Sequence, residues 1–495
     1  MNLLELSQAI WQRLGVAGNL MLPASHLLAG SFASLFSLTL LPLAVRAAPA
    51  ARKAPPQRDG WRLITLDPGH FHAALIHKQT YRGVSNKVAI YAPLGPDLLA
   101  HLSRLAQFNG RAENPTRWEL EVYAGPDFLE RMLKERRGHV VVMSGRNRGK
   151  IARIQAALDA GLHVLADKPW IIEPGDLPKL EKALRTAQRR GLIAYDIMTE
   201  RFEATNMLQR ELVRDAEIFG TIQAGSPEQP GVYMESVHHI YKAVAGVPSL
   251  RPLPFFDINE QGEGLSDVGT HLVDLVQWML FPEQAPDWRK DIAVLAGKRW
   301  PELISREAFR RVTGEADFPE NLQPWVRQDS LAYYCNNQVS YTLRGVHVRL
   351  DVLWRYEAPP GAGDTHYAVF RGSRCRLEIR QGQQEAFRPE LYVVPNDAAD
   401  RQAIGAALSR KLKTLQRAYP GVGLENRGAE FRVTIPDSLR VGHEAHFAQV
   451  VEQFLKYLDK PSLLPAWETP YMLAKYYVTT KGVELARRFE AERAR

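Results

Sequence analysis

The sequence predicts an α/β protein: a doubly wound parallel sheet comes first, followed by a second α/β domain on a largely antiparallel open sheet. Two observations carry this reading. From Trp61 to Met198, short apolar runs alternate with helical patterns. Such βαβ alternation implies a parallel sheet with helices on both faces. Beyond Thr199 the rhythm changes to β-branched and aromatic alternation through short turns, the mark of antiparallel pairing.

The elements follow in order. Residues 1–50 read as a secretory signal, or as a membrane anchor: between Val16 and Val45 the only ionisable side chain is His26, and Ala48-Pro49-Ala50 resembles a small-residue cleavage site. A periplasmic or secreted location is the expectation. Residues 51–60 form an Ala/Pro-rich linker. In the first domain, 61–197, the strands are "WRLITL", "KVAIYA", "WELEVYA", "HVVVMSG", "GLHVLAD" and "GLIAYDIM". The helices "KIARIQAALDAG" and "LPKLEKALRTAQRRG" between them both stop at glycine. The second domain, 198–495, holds "DVGTHLVDLVQWML", then the strands "SLAYYCNNQVSYTL", "VHVRLDVLWRYE", "HYAVFRGSRCRLEI" and "ELYVVP". Two helical patterns close the chain.

Composition narrows the function. A chain of 495 residues with 45% hydrophobic and 24% charged residues is globular and multidomain. The formal charge of +8 is scattered over helix faces among acids, and no RNA- or DNA-binding signature accompanies it, so no nucleic-acid partner is expected. Two cysteines, Cys335 and Cys375, are too few for a disulfide framework or a thiolate metal site. They either pair or stay as buried thiols.

The chemistry-bearing residues sit at strand ends. "LITLDPGHFHAALIHK" is a strand, a tight turn and an apolar helical pattern. A dinucleotide turn there reads G-x-G-x-x-G. Here Asp67 takes the first glycine position, Gly69 the second and His72 the third. Asp67 puts a negative charge beside a diphosphate, unless it caps the helix or pairs with a histidine. "GLHVLADKPW" ends its strand in Asp167-Lys168-Pro169. Pro169 disfavours a helical Lys168, which leaves the lysine at the strand's carboxyl end, where such sheets bind ligands. In "GEGLSDVGTHLVD", Asp267 and His271 are one helical turn apart, a spacing at which a carboxylate can orient an imidazole as a base. His70-x-His72 beside an aspartate is a possible metal pair, but spacing fixes no third ligand, so no metal is assigned.

Together these motifs resemble the glucose-fructose oxidoreductase / inositol dehydrogenase (Gfo/Idh/MocA) family. "ADKP" matches its E-K-P motif with Asp for Glu. "GEGLSDVGTHLVD" matches its second-domain helix start at Gly264, Asp267, Gly269, His271 and Asp274. "VVVMSGRNRGK" resembles its strand four followed by T-P-N-x-x-H, with Asn147 kept and Lys150 in place of His. "TERF" resembles the R-F that opens its second domain. The resemblance implies a Rossmann domain and an open sheet that builds homo-oligomers. It also implies a tightly bound NAD or NADP, held by Gly69, His70, Phe71, Ser144, Asn147 and Lys168. The catalytic set becomes Lys168, Asp267 and His271, with His238 and Asp274 toward a small carbohydrate substrate. The implied activity is oxidation or reduction at a secondary hydroxyl of a sugar, glycoside or polyol. The alternatives are a nicotinamide-assisted glycosidase or lyase and a sugar-binding protein without cofactor.

Overall fold

The structure is a computed structural model that describes residues 60–493 apart from 245, 246 and 249. The predicted leader and all but the last residue of the linker therefore lie outside the described residues. Six parallel strands form the first sheet: β1 (Leu63–Leu66), β2 (Lys87–Ala92), β3 (Glu119–Ala124), β4 (Val140–Met143), β5 (His163–Asp167) and β6 (Ala194–Ile197). Their order, β3-β2-β1-β4-β5-β6, is the Rossmann order. β1, β4 and β6 are buried at every position, as strands covered on both faces must be. Residues of one parity (Ile64, Val141, Val164) pack on the helices Lys150–Asp159 and Leu177–Arg190.

The opposite face is covered from far along the chain. Leu63, Val142 and Leu165 pack on Phe447, Val451 and Phe454 of the helix His443–Asp459. The Rossmann layer is thus completed by a segment that the sequence-based boundary at residue 198 assigns to the second domain.

The second domain carries a ten-stranded sheet. All its pairings are antiparallel except that of β7 (Val232–His239) with the strand Val346–Arg355. The four predicted strand runs are present. Sequence reading missed β7, the strand Ile292–Ser305 and the hairpin Gly423–Arg427/Glu430–Thr434. The 26-residue helix Glu468–Arg493 binds the two domains: Met472 and Tyr476 join the Rossmann core, while Ala474, Val478 and Val483 join the core of the second domain.

A buried charge network locks that junction. Arg201 donates to both oxygens of Asp274 at 2.6 and 2.7 Å and to Glu468 at 2.8 Å. Lys475, fully buried, reaches Asp196 at 2.7 Å and Asp274 at 3.2 Å. Both cysteines are buried and free, which decides between the two expectations for them. Among the described residues, no helix is long and apolar enough to cross a membrane.

The turn after β1 departs from expectation. The helical pattern predicted there forms only four residues, His72–Leu75. Tertiary partners take the next carbonyls: Trp118 Nε1 donates to that of His77 at 2.7 Å, and an Arg111 guanidinium nitrogen to that of Lys78 at 2.6 Å. Local periodicity yields to those contacts.

Candidate active site

A cavity of about 570 Å³ lies between the carboxyl ends of the Rossmann strands and the second domain. Lys168 enters it from the end of β5. Its ammonium donates to the Asp267 carboxylate and, at 3.1 Å, to the Asp267 carbonyl. Burial opposes the Lys168 charge, but Asp267 and Asp167 outweigh it and raise the pKa. Burial likewise opposes ionisation of Asp267, yet Lys168 pulls it down to about 2. The pair is therefore held as an ammonium and a carboxylate.

His271 faces the same cavity. It is not paired with Asp267, as the one-turn spacing suggested, because Lys168 takes that carboxylate. Its Nδ1 is buried without a hydrogen-bond partner among the described residues. Burial, then the Lys168 charge and His443, push its pKa well below the usual value, so the ring is neutral.

The loops that present these groups are tied from below. Lys150, buried under them, donates to Asn147 Oδ1 at 2.6 Å and to the carbonyls of Asp167 and Pro169 at 3.0 Å each. Asn147 Nδ2 donates to the Gln261 carbonyl at 2.8 Å, stitching the β4 loop to the second domain. Asn147 and Lys150 thus hold the site's shape.

His70, Phe71, Asn147 and Lys168, all predicted for the nucleotide, line the cavity, and so do Asp267, His271 and His238. His238 shares a hydrogen bond with Ser236 Oγ at 2.9 Å and lies against Trp354, with ring centroids 5.0 Å apart. Three predicted residues are elsewhere. Ser144 is fully buried and its hydroxyl donates to Asp167 at 2.9 Å. Gly69 does not line the cavity; its amide donates to the Asp67 carbonyl at 2.8 Å. Asp274, expected to meet substrate, is 1% exposed with both oxygens occupied by Arg201 and Lys475. Its place on the helix is as predicted, but the domain junction covers that position.

The strand order puts a nucleotide crevice between β1 and β4. Asp67 does not repel a diphosphate there, since Arg153 pairs with it at 2.7 Å. The backbone cradle differs from the usual one: the Gly69 amide is spent on Asp67, and the His70 amide on the Ser144 carbonyl at 3.2 Å. The positive groups left at this edge are side chains, chiefly the exposed Arg146. A nucleotide placed in this crevice would have its charge met by side chains rather than by the backbone amides of the turn.

The strict glycine is Gly145. A Cβ there would lie 2.4 Å from the Asp67 carbonyl oxygen and 2.9 Å from the Gly69 nitrogen, whereas one on Gly69 would find its nearest neighbour at 3.4 Å. Gly145→Ala is expected to displace the β1 turn at a cost of about 1–3 kcal/mol and to weaken nucleotide binding. Gly69→Ala should cost less than half as much. Thermal melts and nucleotide titration of the two variants check this.

Sequence reading weighed His72 only as a metal candidate and missed Glu200, Arg251 and His443; all four line the cavity. Of the three missed residues only Glu200 lay within a quoted motif, and it had no partner in sequence. Burial, with the nearby Glu203, pushes the Glu200 carboxyl up to about 7, although Lys168 opposes this. A carboxyl raised in the folded state favours the fold while neutral, and that advantage is lost as pH rises from about 4.5 through about 7. The melting temperature of Glu200→Gln relative to the unsubstituted chain should therefore climb between about pH 5 and pH 7 and level off above. Melts at those pH values test it.

A Rossmann sheet whose ligand edge is roofed by a mixed α/β domain, with a lysine at the junction, defines a class of two-domain oxidoreductases. The family described as "Putative oxidoreductase C terminal domain" matches residues 208–487, and the chain belongs to it. A structure from Parabacteroides merdae ATCC 43184, described as a putative oxidoreductase, is 46% identical with a TM-score of 0.85; the match covers 87% of this chain and 98% of that one. Two others share the fold alone. One, from Erwinia carotovora atroseptica SCRI1043, is 14% identical (TM-score 0.55, 86% and 98% covered). The other, a biliverdin reductase from Synechocystis sp. PCC 6803 in complex with biliverdin and NADP+, is 10% identical (TM-score 0.52, 86% and 99% covered). A search of curated proteins finds no match.

Proposed function

We propose that the chain is a nicotinamide-dependent oxidoreductase that acts on a secondary hydroxyl, or the corresponding ketone, of a sugar, glycoside or polyol. The observation that carries this reading is the convergence of Lys168, Asp267 and His271 on one cavity at the carboxyl end of β5. When bound, the nicotinamide would accept or give the hydride. The chain's own residues do the rest. Lys168 donates a hydrogen bond to the reacting oxygen, and Asp267 keeps its ammonium charged and aimed. The neutral His271 takes the hydroxyl proton on oxidation and returns it on reduction. The polar His238 and Ser236 line the same cavity and suit a substrate rich in hydroxyl groups.

The spent amides of the β1 turn favour one rival, a binding protein that uses no nucleotide. One experiment separates the two. The purified chain is denatured and its released small molecules are weighed; the intact chain is then mixed with NAD+ or NADP+ and a panel of sugars while nicotinamide absorbance is followed. Nucleotide retention and reduction support the proposal. Sugar binding with neither retention nor reduction overturns it.

A further inference from the structure

The two turn histidines and the carboxylate that ends β5 converge on one wall of the cavity. His72 Nδ1 lies 2.8 Å from Asp167 Oδ2, and His70 Nδ1 lies 3.8 Å from the same oxygen. One ligand atom from each residue falls within 4.8 Å of the other two. Two imidazole nitrogens and one carboxylate oxygen form a donor set that suits borderline divalent ions such as Zn²⁺, Co²⁺, Mn²⁺ and Fe²⁺. We propose that His70, His72 and Asp167 bind one such transition-metal ion, with its remaining coordination positions open to the cavity.

Three further observations support the site. The Asp167 Oδ1 atom is buried and has no hydrogen-bond partner among the described residues, so the carboxylate has a lone pair to give. The Ser144 hydroxyl, 2.9 Å from Oδ2, orients that carboxylate from behind, as an outer partner of a metal ligand does. The His72 ring is held in place by Phe447, with centroids 4.5 Å apart. The ion takes the place of the hydrogen between His72 and Asp167, the ring proton moving to Nε2 or to solvent. His72 and Asp167 are also positions where the chain departs from the glycine fingerprint and from the E-K-P motif.

The ion's role rests on the cavity being the substrate site, as proposed above; its binding does not. His70, His72 and Asp167 all border the space that Lys168 and His271 face. An ion there would hold a substrate oxygen as a Lewis acid beside the reacting carbon, which selects substrates with a second oxygen next to the reacting one.

The test uses the full chain, stripped with a chelator and titrated with Co²⁺ while visible absorption is recorded; Zn²⁺ is followed by calorimetry. The expected result is one equivalent bound, with affinity reduced in His72→Asn and in Asp167→Asn by more than the roughly 10–100-fold that losing an outer partner of a ligand costs. His70→Ala, at the partly exposed ligand, serves if either of those fails to fold. The proposal is overturned if the unsubstituted chain binds no saturable equivalent, or if His70→Ala that melts normally binds as tightly. Nucleotide retention is measured on the same samples. An ion without a nucleotide leaves this inference standing and removes the preceding one; a nucleotide without an ion does the reverse.

Discussion

Lys168→Met is expected to lower kcat/KM by about 10²–10⁴-fold, the usual effect of losing a positioned proton-transfer or hydrogen-bonding group. The same change leaves the Asp267 carboxylate enclosed without its counter-charge, which is destabilising in its own right. The two effects can be separated. Asp267→Asn removes the stranded charge, so the double variant Lys168→Met/Asp267→Asn should melt closer to the unsubstituted chain than Lys168→Met does, yet remain inactive. Steady-state kinetics and thermal melts of the three proteins check both halves. A double variant that regains activity would mean that Lys168 serves the fold and not the reaction. His271→Ala should also lose turnover while keeping bound nucleotide, because its ring does not take part in the Lys168–Asp267 pair.

The second large effect falls on stability. Asp274→Ala is expected to cost about 3–5 kcal/mol, since it strips Arg201 of a two-point partner and Lys475 of one of its two acids, all in the dry domain junction. The denaturant midpoint should drop sharply, while KM per folded molecule stays unchanged. If Asp274 bound substrate, KM would rise and the midpoint would hardly move. The buried Glu468, beside Arg201 at 2.8 Å, makes the loss uneven: Arg201 keeps one acid, and Lys475 keeps Asp196 at 2.7 Å. Asp274→Asn should therefore fall between the alanine variant and the unsubstituted chain.

Several parts of this protein were readable from sequence alone because they depend on near neighbours. Apolar runs bounded by turns located β1 to β6. Glycines 161 and 191, both left-handed, ended the two helices as the pattern predicted. Pro169 after Lys168 and the one-turn spacing of Asp267 and His271 marked the residues that meet at the cavity. β7 escaped notice because its histidines and glutamate mask the alternation of a strand.

Only the tertiary structure decided who pairs with whom. Lys168 and Asp267 are 99 residues apart, and Arg201 and Asp274 are 73 apart. No local pattern could show that Asp267 would serve a lysine and not the histidine one turn away, or that Asp274 would be sealed at a domain junction. His72 and Asp167, 95 residues apart, meet because the β1 turn reaches past β4 to the end of β5. Helix length after β1 was also a tertiary matter, since Trp118 and Arg111 claim the carbonyls that a longer helix would use. The physical reason is the same in each case. Periodicity and turn chemistry act over a few residues, whereas a buried charge takes whichever opposite charge the packed fold brings within hydrogen-bond reach.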